Sequence, residues 1–404
     1  MTTLPRLEDA NINYCFETAE NILQKAPDLK AGSESEENAR HILLYELMKY
    51  CDETNEQSFF AYPGAGSLIH KALCVGLVVC LMLFSVCVDN GFVLPVAISL
   101  FLNILIFCIF AYKFIFDGTL LDRIKPKKRS GNIIGKRFCD GTPEVRVVLT
   151  AHLDSPKTIH NLIFGNRWPL ILSICSVIGN TVLFCSQLAF LFAGAPANAD
   201  GFELLRNICF IFIPFYILSF FLISSKKTAT GVSSSIIPSS LLVSIMKQFS
   251  EDSFRFRKTE VCCLLTGAEY SSRAGSYAFA KKYRRLFSDI RTIFIPLEEI
   301  TTSEKLAVFF KDGSGAQGSA EVASIIAQAA ENLELNLTKE SSLLGTSSFT
   351  PFSNQHFRAC SLGTSKKHIS KSVSPNTDRI TSIPRKTVAD VGALIIETLN
   401  YYDS

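Results

Sequence analysis

The 404-residue chain is 48% hydrophobic and only 19% charged, too apolar for a wholly water-soluble protein, so membrane segments are expected to carry the excess. Its net charge of +3 is small, and nothing in that balance calls for a nucleic-acid partner. Thirteen cysteines without a CxxC pair exclude a zinc-finger scaffold and fit free thiols in a reducing compartment.

From the amino terminus, MTTLPRLEDA lacks the basic start and apolar stretch of a secretory signal. Helical spacing of apolar residues follows in Asp9 to Gln24 and again in Glu36 to Cys51. Two apolar runs, Ala72 to Val88 and Phe92 to Phe116, are separated only by Asp89, Asn90 and Gly91. Each approaches the ~20 residues that cross a bilayer, so the pair predicts a transmembrane hairpin. Lys113 lies near the end of the second run, and Arg123, Lys125, Lys127, Lys128 and Arg129 follow it.

Glu144 to Asp154, EVRVVLTAHLD, is a β-branched run ending in His-x-Asp, which predicts a buried strand with His152 and Asp154 at its carboxyl end. A second pair of apolar runs, Pro169 to Ala193 and Phe202 to Ser224, predicts a second hairpin, followed by Lys226 and Lys227. The hairpin tips hold no Lys or Arg other than Arg206. By the positive-inside rule, four spans with this charge distribution place both termini and the remaining sequence in the cytoplasm. No ionisable residue lies at mid-span, which argues against a transporter.

Glu260 to Glu269, EVCCLLTGAE, is another buried-strand run, with Glu269 just beyond it. Helices are expected over Ser271 to Leu286, Ser319 to Asn332 and Arg385 to Tyr402, and strands over Arg291 to Leu297, Leu306 to Lys311 and Arg358 to Leu362. Alternating strands and helices predict an α/β fold with a mostly parallel sheet flanked by helices, interrupted by the two transmembrane hairpins. The expected layout is residues 1–70, 117–166 and 225–404 forming one domain, with hairpins at 71–116 and 167–224. In such a sheet ligands bind beyond the carboxyl ends of the strands, where His152, Asp154 and Glu269 converge.

Several stretches together resemble the zinc-dependent aminopeptidases of metallopeptidase family twenty-eight, in particular a membrane-embedded bacterial branch. AGSESEENARHILLYELMKY, from Ala31 to Tyr50, resembles the family's "GSxxE" helix entry, and VVLTAHLD resembles its first metal strand. TGAEYSSRAGSYAFAKKY resembles the "GxEExGxxGSxxfa" segment, FIPLEEI falls at the strand that ends in an Asp ligand, and Ser374 to Asp378, SPNTD, falls at "HTxxD".

The resemblance implies a zinc-dependent exopeptidase fold and a site in which one Asp bridges two zinc ions while a Glu acts as general base. Position by position it makes His152 a zinc ligand, Asp154 the carboxylate that orients it, and Glu269 the general base. The remaining ligand positions depart from the pattern: Lys227 replaces the bridging Asp, Tyr270 the second Glu, Glu298 the third-strand Asp, and Ser374 the last His. A lysine at the bridge adds charge where two zinc ions need it removed, and His152 with Glu298 makes only two of the roughly three ligands that one zinc requires. The Lys227 ammonium is expected to pair with the buried carboxylates in place of metal.

The reading from sequence is therefore a membrane-anchored, peptidase-like protein that is catalytically inactive, binds no cofactor, and acts by binding or scaffolding at the cytoplasmic membrane face. The alternative is a residual metallopeptidase, retaining zinc, that hydrolyses membrane-proximal peptides with Glu269 as general base. The expected partners are the lipid bilayer and a membrane-proximal peptide or protein. The second hairpin enters directly after the His-x-Asp strand, so the crevice is expected to lie beside the membrane.

Overall fold

The computed structural model describes residues 7–156, 168–193, 199–222, 228–341, 346–365 and 378–404. Along the chain lie α1 (Asp9–Lys25), α2 (Glu34–Tyr50), β1 (Glu53–Ala61), α3 (Ala65–Asn90), α4 (Val93–Phe110), β2 (Lys128–Arg137) and β3 (Val145–His152). Then come α5 (Trp168–Ala193), α6 (Ala199–Phe210), α7 (Ile213–Leu222), α8 (Ile237–Glu251), β4 (Thr259–Thr266), α9 (Ala274–Tyr283) and β5 (Arg291–Pro296). The last are β6 (Leu306–Lys311), α10 (Ala320–Asn332), β7 (Leu337–Ser341), α11 (Thr350–Ser353), β8 (Arg358–Ala359), β9 (Ser361–Thr364) and α12 (Arg385–Asp403). The chain divides into two units, one of Met1–Pro63, Lys125–Lys157 and Lys227–Ser404, the other of Gly64–Ile124 and Thr158–Lys226.

The first unit is built on β3, in which every residue is buried. Alternate residues serve opposite faces of the sheet. Val147, Leu149 and Ala151 join Val261, Cys263, Ile293 and Ile295 in the larger core, against α1, α8 and α12. Val148 joins Cys262, Leu264 and Phe294 in a second core under α9, where Phe279, Phe287 and Phe352 fill the space. Two apolar faces explain why the middle of each strand, residues 147–149 of β3 and 261–265 of β4, is wholly apolar, with the polar residues kept toward the ends.

The strand order is β1-β2-β4-β3-β5-β8. β3 runs parallel to β4 and to β5, and β5 parallel to β8. β2 is antiparallel to both β4 and β1. The sheet is thus mixed, with three parallel pairings from β4 to β8 and two antiparallel ones at the β1 edge, where the expectation was of a mostly parallel sheet. The physical reason lies in the register: Ala61 at the end of β1 pairs with Lys128 at the start of β2, so the chain leaves and re-enters at the same end of the sheet. A return of that kind makes an antiparallel pair, whereas a parallel one needs a crossover. A smaller sheet, ordered β7-β6-β9, is mixed as well.

Helix α8 is buried almost all round, although its sequence IPSSLLVSIMKQFSE contains four serines. Two of these hydroxyls bond back to the preceding turn, Ser239 Oγ donating to the Ser235 carbonyl at 2.7 Å and Ser244 Oγ to that of Ser240 at 2.9 Å, whereas buried Ser240 Oγ has no partner among the described residues.

In the second unit, four helical stretches among the described residues are long and apolar enough to cross a membrane: Ala65–Asn90, Val93–Ile115, Ile171–Ala193 and Asp200–Leu222. The last is broken into α6 and α7, with Pro214 in the first turn of α7, where its missing N–H costs little. The polar side chains of this bundle find one another. Asn103 Nδ2 donates to Gln187 Oε1 at 3.2 Å, Gln187 Nε2 to Ser99 Oγ at 2.6 Å, and Ser99 Oγ to the Cys80 carbonyl at 2.6 Å. That chain links α3, α4 and α5 through groups that an apolar solvent would leave unsatisfied. At one end of the bundle Arg206 pairs with Asp89.

Candidate functional site

β3, β4 and β5 are adjacent and parallel, so the residues just past their carboxyl ends are neighbours. His152 ends β3, the turn beginning at Gly267 follows β4, and Leu297, Glu298 and Glu299 follow β5. The structure therefore gathers His152, Asp154, Glu269 and Glu298 at one end of the sheet. His152, Asp154 and Glu269 are buried and Glu298 is partly exposed.

The turn after β4 is conformationally expensive. Ala268, Ser272 and Arg273 all have left-handed backbone, with φ of 52°, 56° and 49°, at a cost of about 1 kcal/mol or more each. Three buried carboxylates hold it. Glu36, from the first turn of α2, accepts from the Ala268 amide at 2.7 Å and from Ser130 Oγ at 2.9 Å. The Asp154 oxygens accept from the amides of Glu269 at 2.8 Å and Tyr270 at 2.9 Å. Glu269 Oε1 accepts from the Ser276 amide at 2.6 Å. Glycine is required at position 275, where a Cβ would lie 2.2 Å from the Gly267 carbonyl oxygen.

Asp154 thus acts on the Glu269 turn. Both its carboxylate oxygens are engaged there, and Nδ1 of His152 has no hydrogen-bond partner among the described residues. The ring orientation that the family pattern would assign to Asp154 has no counterpart here. Burial pushes the Asp154 carboxyl well above its ordinary range, and the nearby Glu36 and Glu269 push it further the same way. Burial also lowers the His152 imidazole, against the opposing pull of Glu269 and Glu298, so the ring is held neutral.

The centre of the site is a residue that no sequence pattern marked. Ser348 Oγ lies 3.0 Å from His152 Nε2, and the Ser348 amide donates to Glu298 Oε1 at 2.8 Å. Arg273 donates from Nη1 to the same Ser348 Oγ at 3.1 Å and from Nε to Thr346 Oγ1 at 3.0 Å, and its Nη2 bonds the Thr346 carbonyl. Its Nη1 is also 4.0 Å from Glu269 Oε2, an atom with no hydrogen bond among the described residues. The family segment leaves position 273 open to any residue, which is why Arg273 gave no signal. One clue was present: where that segment has a glycine, this chain has Ser272 in a left-handed conformation.

Tyr270 sets its ring edge-on to His152, centroids 6.1 Å apart, and is 48% exposed. Asp378, the last residue of SPNTD, accepts from the amides of Val232 at 3.0 Å and Ser233 at 2.9 Å and caps the helical segment that leads into α8. Just before it, Gly231 has φ 73°, and a Cβ there would lie 2.1 Å from Ser155 Oγ. Lys227 and Ser374 lie outside the described residues.

Zinc bound to imidazole sits ~2.0–2.1 Å from the nitrogen and takes about three protein ligands in an open site. Here His152 Nε2 and Glu298 Oε1 both meet Ser348, and the charge near Glu269 comes from a guanidinium. Among the described residues, no group of three or more His, Cys, Asp or Glu is placed to hold a metal ion. These residues do not fit a two-zinc cluster.

Residues 225–399 match the model of Peptidase family M28. The chain is also similar in fold to several solved structures. One is a glutaminyl cyclase from an Acidobacteriales bacterium, at 10% identity and a TM-score of 0.56, covering 100% of this chain and 97% of that one. Others are a Zn-dependent exopeptidase from Parabacteroides distasonis (13% identity, TM-score 0.55, covering 97% and 99%) and a leucine aminopeptidase precursor from Bacteroides thetaiotaomicron (9%, 0.55, 99% and 99%). At these identities the likeness is one of fold. No curated protein matches the sequence. Over residues 225–399, then, the chain is similar to Peptidase family M28, and its first unit has the fold of Zn-dependent exopeptidases.

Proposed function

We propose that the protein is a membrane-anchored member of the M28 family that acts by binding at its peptidase-like site rather than by hydrolysis. The observation that carries this reading is the position of Ser348 between His152 and Glu298, with Arg273 bonded to the same hydroxyl. Two donors that would share a metal share a serine instead, and catalysis in a two-metal site depends on the charge those metals supply. Lys227, Tyr270 and Ser374 at three further ligand positions support it from the sequence.

The four apolar helices support membrane anchoring, and the basic residues from Arg123 to Arg129 support a cytoplasmic site. Because the second pair of helices is inserted between β3 and α8, both of which border the site, the ligand we favour is a membrane-proximal peptide or protein segment.

A second reading, a residual hydrolase with Glu269 as general base, draws support from one atom. Buried Glu269 Oε2 has no hydrogen bond among the described residues and is available to take a proton. Zinc content of the detergent-purified chain, with turnover of amino-acyl and N-terminal glutaminyl substrates, decides between the two. Binding without catalysis predicts well under one zinc per chain and no turnover. About two zinc ions per chain, with cleavage abolished by Glu269→Gln, would overturn it.

A further inference from the structure

We propose that Arg273 is the resident cation of this site: its guanidinium supplies the positive charge that a metal supplies in a two-zinc site, and through Ser348 it joins His152 to Glu298, so that the site is set without an ion. The inference rests on the reading that this site works without metal, and it names the residue that makes this possible.

Buried carboxylates need a compensating charge, and the sequence offered Lys227 for that task. The geometry points to a different residue. Arg273 lies in the same turn as Glu269, with Nη1 4.0 Å from Glu269 Oε2 and 3.1 Å from Ser348 Oγ. Its Nε and Nη2 are fixed on Thr346, so the planar fork is held on three sides. From the guanidinium the contacts run through the Ser348 hydroxyl to His152 Nε2, and through the Ser348 amide to Glu298 Oε1. In this arrangement Nη1 donates to Ser348 Oγ, Ser348 donates to Nε2, and His152 is neutral with its proton on Nδ1. The left-handed backbone at Ser272 and Arg273 is the cost of placing this side chain where it is. A role confined to tying down Thr346–Ser348 would predict lost stability on removing Arg273, but no change in the chemistry of His152 and Glu269.

The test uses the full chain in detergent, with Co²⁺ as a spectroscopic probe and Zn²⁺ measured by elemental analysis. Wild type and Arg273→Lys, which keeps the charge, are expected to take up no cobalt at this site. Arg273→Ala is expected to gain about one ion per chain, because His152, Glu269 and Glu298 are then three released donors, and His152→Ala in that background should abolish the gain. Arg273→Met, which keeps the apolar stem, replaces the alanine variant if the latter does not fold. ¹⁵N NMR of His152 in wild type gives a reading that needs no variant: the neutral, Nδ1-protonated ring should be unaffected by added Zn²⁺. Wild type that binds metal in a His152-dependent way sinks both this inference and the reading beneath it. Metal-free wild type whose Arg273 variants also stay metal-free sinks the inference alone.

Discussion

Asp154, two residues beyond the end of β3, holds the backbone amide of Glu269 at 2.8 Å and so ties the ends of two neighbouring strands together. The same carboxylate takes the amide of Tyr270 at 2.9 Å. An asparagine in its place keeps one acceptor and turns an NH₂ group toward the other amide. Asp154→Asn is therefore expected to destabilise the first unit by about 1–3 kcal/mol, the cost of one buried N–H left without an acceptor. Urea unfolding in detergent checks this, and an unchanged midpoint would refute it.

Gly275 makes a sharper steric case. A methyl group there would lie 2.2 Å from the Gly267 carbonyl oxygen and 2.7 Å from Asn132 Oδ1, both parts of the frame around Glu269. Gly275→Ala should cost about 1–3 kcal/mol through forced displacement of the turn. The expected signature is a lower melting temperature, with the Glu269 amide exchanging faster in hydrogen–deuterium exchange.

The second unit is tested at Gln187, whose amide both donates to Ser99 Oγ and accepts from Asn103 Nδ2. Gln187→Leu keeps the volume but strands two polar partners. A loss of about 0.6–1.7 kcal/mol is expected, as measured by unfolding in mixed micelles. A more stable leucine variant would show that the polar chain contributes specificity without stability.

Acid sensitivity should appear at the far end of the sheet. Arg146 bonds Asp289 at 2.8 Å, and that hydrogen bond holds the Asp289 carboxyl below its ordinary value. A lowered pKa means the unfolded chain takes up a proton first as pH falls. The stabilisation is thus present above pH ~4 and fades below it. Asp289 is about half exposed, which limits the effect to about 1 kcal/mol or less. Wild type and Asp289→Asn should differ in stability at pH 6 and converge near pH 2.

Topology follows from charge. Reporter fusions at Ser404 should report a cytoplasmic location, and an insertion at Asn90 the opposite side. The reverse pattern would overturn the cytoplasmic assignment and with it the compartment proposed for the site.

The parts of this molecule legible from its sequence are those where one physical demand dominates. β3 and β4 are buried on both faces, and an apolar β-branched run has few other solutions; their polar ends then fix where His152, Asp154 and Glu269 lie. β1 and β2 were not legible. ETNEQSFFA belongs to an edge strand with weak alternation, and KRSGNIIGKR carries two glycines, so their pairing is a tertiary fact. α8 gives no periodic signal because burial on all sides erases the periodicity that marks a surface helix. Arg273 and Ser348 escaped for another reason: their role comes from contact between segments distant in sequence, and neither position belongs to a recurring pattern.

The pairing of β1 with β2 also sets the order in which this chain is assembled. Residues 62–127 separate the two strands, and residues 153–258 separate β3 from β4. During synthesis the first strand leaves the ribosome long before its neighbour, and the His-x-Asp strand waits longer still. No part of the central sheet can close on local contacts, so folding of the first unit is paced by translation of everything between its pieces. Before β2 is made β1 has no neighbour at all, and even in the finished sheet it stays at the edge with Phe60 exposed, so it can pair with other chains both during and after assembly.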